Sequence, residues 1–140
     1  MRYMIIVKGD DDTEAGVMPE PGIVAAMAEY HEALHRAGVL VDASGLQATS
    51  KGFRIRYKGD ARSVVDGPFT ETKEVVAGYT IIQVDSHEQA REWALRYPKP
   101  SPAHRDCEIE VRRMFDLDDF EPSDGIEQFR RIGVGSEQGG

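Results

Sequence analysis

The sequence holds a single cysteine, Cys107, and no apolar run long enough to cross a membrane, which takes about 20 residues. One cysteine excludes an internal disulfide and fits a reducing compartment. The opening MRYMIIVKGDDD has too short a hydrophobic core for a signal peptide, so a cytoplasmic location is expected. Basic residues never run beyond Arg112-Arg113 or Arg130-Arg131. With a net charge of -8 and a pI of about 5.0, that scarcity argues against nucleic acid and anionic membranes as direct partners. No nucleophile elbow, P-loop or dinucleotide fingerprint occurs, so serine acyl transfer, nucleotide hydrolysis and NAD chemistry lack support and no cofactor is expected.

What is present is enough for one core: 140 residues, 40% of them hydrophobic. Residues 3–7 (YMIIV) are apolar at both parities, as in a short strand covered on both faces, and Gly9 with three aspartates ends it. From Ile23 to Ala37, Ile23, Met27, Tyr30 and Leu34 recur at helical steps, and Gly38 stops the helix. A short strand at Val39–Val41 follows. Phe53, Ile55 and Tyr57 alternate with Arg54, Arg56 and Lys58, which predicts a half-buried strand turning at Lys58-Gly59-Asp60 into a hairpin partner. A long strand is predicted over Val75–Val84, with Gly78 marking a bulge or a close approach.

Ser86 and Gln89 predict a capped second helix with a stripe of Ala90, Trp93, Ala94 and Tyr97, ended by Pro98. The last strand, Glu108–Phe115, places Ile109, Val111 and Phe115 on one face, and shared parity predicts Cys107 as a small core hydrophobe. The order is ferredoxin-like βαββαβ with an elaborated middle hairpin, in the α+β class. Residues 1–115 form the domain, 116–132 an acidic extension with a short helix, and 133–140 a tail expected to fray. Two helices cover one sheet face, so a homodimer packing sheet on sheet is expected to bury the other.

His31-Glu32-Ala33-Leu34-His35 matches H-E-x-x-H, the zinc-protease signature. Two features oppose that reading. The position of a third histidine holds Val41, and Glu32 lies opposite the apolar stripe, with His31 and His35 about 80° and 120° round the helix from Ile23. A solvated helix flank and no bound metal are therefore expected, with a zinc hydrolase as the third-ranked function.

The stretch Asp66-Gly67-Pro68-Phe69 combines a turn signal with a ring that can pin the loop. Thr70-Glu71-Thr72-Lys73-Glu74 then displays carboxylates and an ammonium. At these residues the chain resembles the YCII-related proteins of the DGPF-domain type, small bacterial α+β proteins. RYMIIVKGDD, AGVLVDASGLQ and DGPFTETKEVVAGY run in that family's order. The resemblance implies a dimeric α+β barrel with a cleft near the dimer interface, and a biochemical role that is undefined for the family.

It also implies an acid–base His and Asp pair, with the histidine about eleven residues before the glycine that ends the first helix. Met27 stands at that position here, and His31, one turn later, is its substitute. The family's loop residues fall on Asp66, Gly67, Pro68, Phe69, Glu71, Lys73, Gly78 and Tyr79. The expected site is thus Asp66 and His31 as acid or base, with Pro68, Phe69, Glu71, Lys73 and Tyr79 binding an unidentified small molecule. The competing reading is a non-catalytic ligand-sensing or interaction module.

Overall fold

The computed structural model describes residues 1–70 and 74–137. Strand β1 (Arg2–Lys8) leads into a one-turn helix α1 (Asp11–Glu14) and the long helix α2 (Pro21–Arg36). Strands β2 (Leu40–Gly45), β3 (Phe53–Lys58), β4 (Ala61–Asp66) and β5 (Val76–Gln83) follow, then α3 (His87–Leu95), β6 (Ile109–Arg113) and α4 (Asp124–Ile132). Four strands form one antiparallel sheet in the order β2-β5-β1-β6, while β3 and β4 form a separate two-stranded sheet. Chain order against strand order gives the ferredoxin-like arrangement, an α+β fold with β3–β4 inserted after the edge strand β2.

Local chemistry accounts for the boundaries. Pro21 opens α2, where its missing N–H costs nothing, and Gly38 takes a φ of +74° just past the helix end, in the left-handed region that favours glycine. The Ser86 hydroxyl caps α3 by accepting from the Gln89 amide, and Ser123 caps α4 in the same way through Ile126. Helix α1 starts at the aspartates that end β1. Asp10 and Thr13 exchange side-chain and backbone bonds in a capping box that turns that acidic run into a helix start.

The core lies on one sheet face. Tyr3 and Ile5 of β1, Ile82 of β5 and the following Val84 meet Tyr30 and Leu34 of α2 and Ala90 of α3. Leu34 and Ile82 are wholly buried, each stabilising the fold by about 1.5–3 kcal/mol relative to exposure. Strand alternation sends Met4, Ile6, Tyr79 and Ile81 to the second face, where they are half-buried.

Several expectations change. Strand β3 is exposed at every position rather than half-buried, because its hairpin leaves the main sheet and pairs with β4 alone. Cys107 is exposed, since β6 begins at Ile109 and the residues before it are not in the ladder. Phe115 likewise lies past the end of β6 and is exposed, unlike Ile109 and Val111, which pack on the core. The described part of the tail is tied down: the Gly135 carbonyl accepts from the Leu117 amide, and Glu137 pairs with the amino terminus.

Candidate functional site

Between α2 and the core face of the sheet lies a cavity of about 1030 Å³, at the upper end of the roughly 300–1,000 Å³ common for small-molecule sites. One chain walls it. Ile23, Val24 and Met27 come from α2, Val7 from β1, and Leu46 and Pro102 from the flanking loops, so most of the wall is apolar. Helix α2 can leave this space because its stripe narrows. Tyr30 and Leu34 are buried against the sheet, whereas Met27 and Ile23, nearer the start of the helix, are only half-buried.

The floor carries the polar groups. His31 Nδ1 donates to the Met27 carbonyl at 2.7 Å, and its Nε2 lies 2.8 Å from Thr80 Oγ1. The carbonyl can only accept, so the neutral ring holds its proton on Nδ1 and Nε2 accepts from the Thr80 hydroxyl. Thr80 is 1% exposed and sits on the buried parity of β5, between Gly78 and Ile82. Burial pushes the Tyr97 phenol up from its ordinary value, with the neighbouring Thr80 hydroxyl opposing the rise. His31 and Thr80 are thus bonded to each other, and the Tyr97 ring stands edge-on beside His31 at 6.3 Å to complete the floor.

Behind that floor, the Tyr30 hydroxyl donates to the Trp93 carbonyl at 2.7 Å, and burial pushes its phenol up to about 12. The Tyr30 ring meets Tyr97 edge-on at 5.1 Å and fixes how it faces the cavity. A solvated flank was the expectation for His31. Its side chain instead turns in toward Thr80, because the cavity widens the half-buried band of α2 beyond the Tyr30–Leu34 stripe. His35 and Glu32 are exposed. No group of three or more metal-ligating side chains occurs among the described residues.

The rim is ionic. Arg105 Nη1 lies 3.2 Å from Asp10 and 2.7 Å from Asp12. Burial alone raises the Asp10 carboxyl, but the Thr13 amide and Arg105 outweigh it and hold the group below its ordinary value. The hydrogen bond that Arg105 donates to Asp12, ahead of the one to Asp10, pushes its guanidinium up. Together these contacts tie the 97–105 connection to the start of α1 across one side of the opening.

The loop residues expected at the site lie elsewhere. Glu71 and Lys73 fall outside the described residues. Asp66, Pro68 and Phe69 are not among the cavity's lining; Phe69 borders a smaller hollow of about 410 Å³, with the Arg54 guanidinium 3.7 Å over its ring. Tyr79 is a lining residue, yet its side chain leaves the sheet on the face opposite Thr80 and its hydroxyl donates to Asp42 at 3.0 Å, which raises the phenol.

The Asp66–Phe69 turn acts as a brace. The Gly67 amide donates to the Gly52 carbonyl at 3.0 Å, and the Phe69 amide to Thr49 Oγ1 at 3.0 Å. Glu14 of α1 in turn accepts from both the amide and the hydroxyl of Thr49. This chain of bonds holds Thr49, whose neighbours Leu46, Gln47, Ala48, Ser50 and Lys51 form one cavity wall. Gly67 is required there, because a β-carbon would come within 1.8 Å of the Thr49 carbonyl oxygen.

Thr80, Tyr97 and the Asp10–Asp12–Arg105 rim are functional groups that no motif in the sequence announces. Thr80 leaves a signal, as a hydroxyl at a buried parity of an otherwise apolar strand. Tyr97 shows only as the end of an apolar stripe and Arg105 leaves no signal, because their partners are far off in the chain.

Fold and cavity together define a small α+β domain, ferredoxin-like in topology, that frames a half-open, ligand-sized space within a single chain. The chain belongs to the YCII-related domain family, whose model matches residues 1–115, from β1 through β6. No curated protein matches it. Among solved structures it is similar to 5-chloro-2-hydroxyhydroquinone dehydrochlorinase from Burkholderia phenoliruptrix, in complex with 2,5-dihydroxybenzoquinone, at 13% identity and a TM-score of 0.43, covering 83% of this chain and 95% of that one. A likeness this remote transfers neither ligand nor reaction.

Proposed function

We propose that this YCII-related protein binds a small, largely apolar molecule in the cavity between α2 and the sheet, with a hydroxyl or carbonyl of the ligand placed at the His31–Thr80–Tyr97 floor. The carrying observation is the floor itself: three polar side chains from three separate segments converge beneath an otherwise apolar space. An apolar wall supplies affinity and a few fixed polar groups supply orientation. The described helices include none long and apolar enough to cross a membrane.

Acid–base chemistry at this site runs through His31 rather than through Asp66, which lies at the exposed end of β4 outside the lining. With the Nδ1 proton given to Met27, Nε2 is the basic nitrogen, and it accepts from the Thr80 hydroxyl. A ligand sensor would use the same cavity without turnover. The half-buried second face, with Met4, Ile6, Tyr79 and Ile81, suits a sheet-on-sheet homodimer that leaves the cavity open on the outer side.

Crystals soaked with bromophenol test the reading, since the bromine marks the ring position. A peak inside the cavity with the phenol oxygen within hydrogen-bond reach of Thr80, Tyr97 or His31 supports it. Bromine found only at Phe69, on the hairpin or nowhere contradicts it.

A further inference from the structure

The polar hydrogens around the cavity floor can be followed one by one. The His31 Nδ1 proton goes to the Met27 carbonyl, the Thr80 proton to His31 Nε2 and the Tyr30 proton to the Trp93 carbonyl. Ser101, a buried lining residue, donates to the Arg105 carbonyl at 3.3 Å. Tyr97 differs. Among the described residues nothing accepts from its hydroxyl in hydrogen-bond geometry, the neighbouring Thr80 oxygen included. Every buried polar side-chain atom among those residues has a partner, so the unpartnered Tyr97 oxygen is accessible, in a residue that lines the cavity. Gln47, Ser50 and Lys51 also line it, but all three are exposed on the 46–51 wall.

Packing fixes where that hydroxyl stands. The Tyr97 amide donates to the Ala94 carbonyl at 3.1 Å, and its ring is met edge-on by Tyr30 and by His31. Because burial raises the phenol, the group stays protonated, a donor, through neutral pH. Acceptors are scarce in the same place, since the His31 Nε2 lone pair is taken and Thr80 is 1% exposed. A ligand hydroxyl that accepts from Tyr97 therefore leaves its own proton without a partner on the floor, and a ligand carbonyl has no proton to leave. Charge narrows the choice further. The lining sets the carboxylates of Asp10, Asp12, Glu14 and Glu20 against Lys51 and Arg105, and Arg105 is already held by two of those acids. A ligand carboxylate would enter against that excess of negative charge.

We infer that Tyr97 is the donor that orients the ligand, and that the ligand group it receives is a neutral carbonyl, as in a ketone or an ester, with the rest of the molecule lying along the apolar wall of α2. The inference rests on the cavity being the ligand site, and adds which protein atom reads the ligand and which chemistry it selects. The His31–Thr80 bond contributes by taking up the Thr80 proton and the His31 acceptor together, which leaves the Tyr97 proton as the one on offer at the floor.

Three naphthalenes of nearly equal shape test this by titration calorimetry on the full chain: 2-acetylnaphthalene, 2-isopropenylnaphthalene, in which a methylene replaces the carbonyl oxygen, and 2-naphthoate. The naphthoate should bind at least about tenfold more weakly than the ketone. Tyr97→Phe should weaken the ketone by about tenfold and the isopropenyl compound by less than about twofold, a split that a merely structural role for the phenol would not produce. Should the variant misfold, crystals of the wild type with 2-acetyl-6-bromonaphthalene decide the point, the bromine fixing the ring and the expected carbonyl oxygen lying within hydrogen-bond reach of Tyr97 Oη. A variant that weakens both neutral probes alike, naphthoate bound as tightly as the ketone, or a ketone in the cavity with its oxygen away from Tyr97 overturns the inference and leaves the cavity as the site. Failure of all three probes to bind overturns the cavity reading and the inference with it.

Discussion

The Asp66–Phe69 turn and the His31–Thr80–Tyr97 floor are constrained in opposite ways. The turn is a local signature with almost no room. Gly67 fits under the Thr49 carbonyl only because it lacks a side chain, and its own amide and that of Phe69 bond the 49–52 segment directly. The floor is assembled from residues scattered between positions 31 and 97 and faces about 1030 Å³ of open space. Tight local geometry leaves a motif in the sequence; ligand space does not. A conspicuous motif can therefore hold up the wall of a site without touching what the site holds.

Substitutions at the two places should separate these roles. The largest effect is expected from Gly67→Ala, where the new methyl meets backbone that cannot swing aside. A loss of about 3 kcal/mol should appear as a lowered urea midpoint, and a wild-type midpoint would show that the brace yields. Thr80→Val keeps the shape but leaves the Nε2 acceptor of His31 unpaired in a mostly buried place. It should cost about 1–2 kcal/mol, read the same way.

Asp10→Ala removes the cap of α1 and one partner of Arg105, for about 1 kcal/mol near neutral pH. The sign of its pH dependence follows from the direction of the shift. The folded carboxyl is held below its ordinary value of 3.8, so its contribution is complete above that value and is lost as pH falls through the folded one. The gap between wild type and variant should therefore narrow from neutral to strongly acid pH, and a gap that widens would contradict the assignment. Asp66→Asn should be the mildest, within about 0.5 kcal/mol, because that side chain is exposed.

The same contrast explains what could be read in advance. Helix α2 and strands β1, β5 and β6 were legible from the spacing of Tyr30 and Leu34 and from runs such as YMIIV, since periodicity reports which side of an element is buried. The exposed hairpin was not, because alternation in Phe53–Lys58 gives the parity of a strand and says nothing about which surface meets it. His31 was misplaced for a related reason. A helical wheel drawn from Ile23 assumes one narrow contact stripe, and the cavity broadens it. Tyr97 and Arg105 acquire their roles from Thr80, Asp10 and Asp12, long-range partners that no local pattern encodes.

The central claim, that the ligand site is the cavity under α2 and not the Asp66–Phe69 turn, is tested most directly by titrating a neutral fluorescent probe, Nile red, into the wild type, Ala28→Trp and Asp66→Asn. Ala28 is exposed on α2 and lines the cavity, so an indole there fills space without disturbing the core. Saturable binding of one dye per chain is predicted for the wild type and Asp66→Asn, with at least about a tenfold loss in Ala28→Trp at an unchanged melting temperature. Dye binding that survives Ala28→Trp, or disappears in Asp66→Asn, would contradict it.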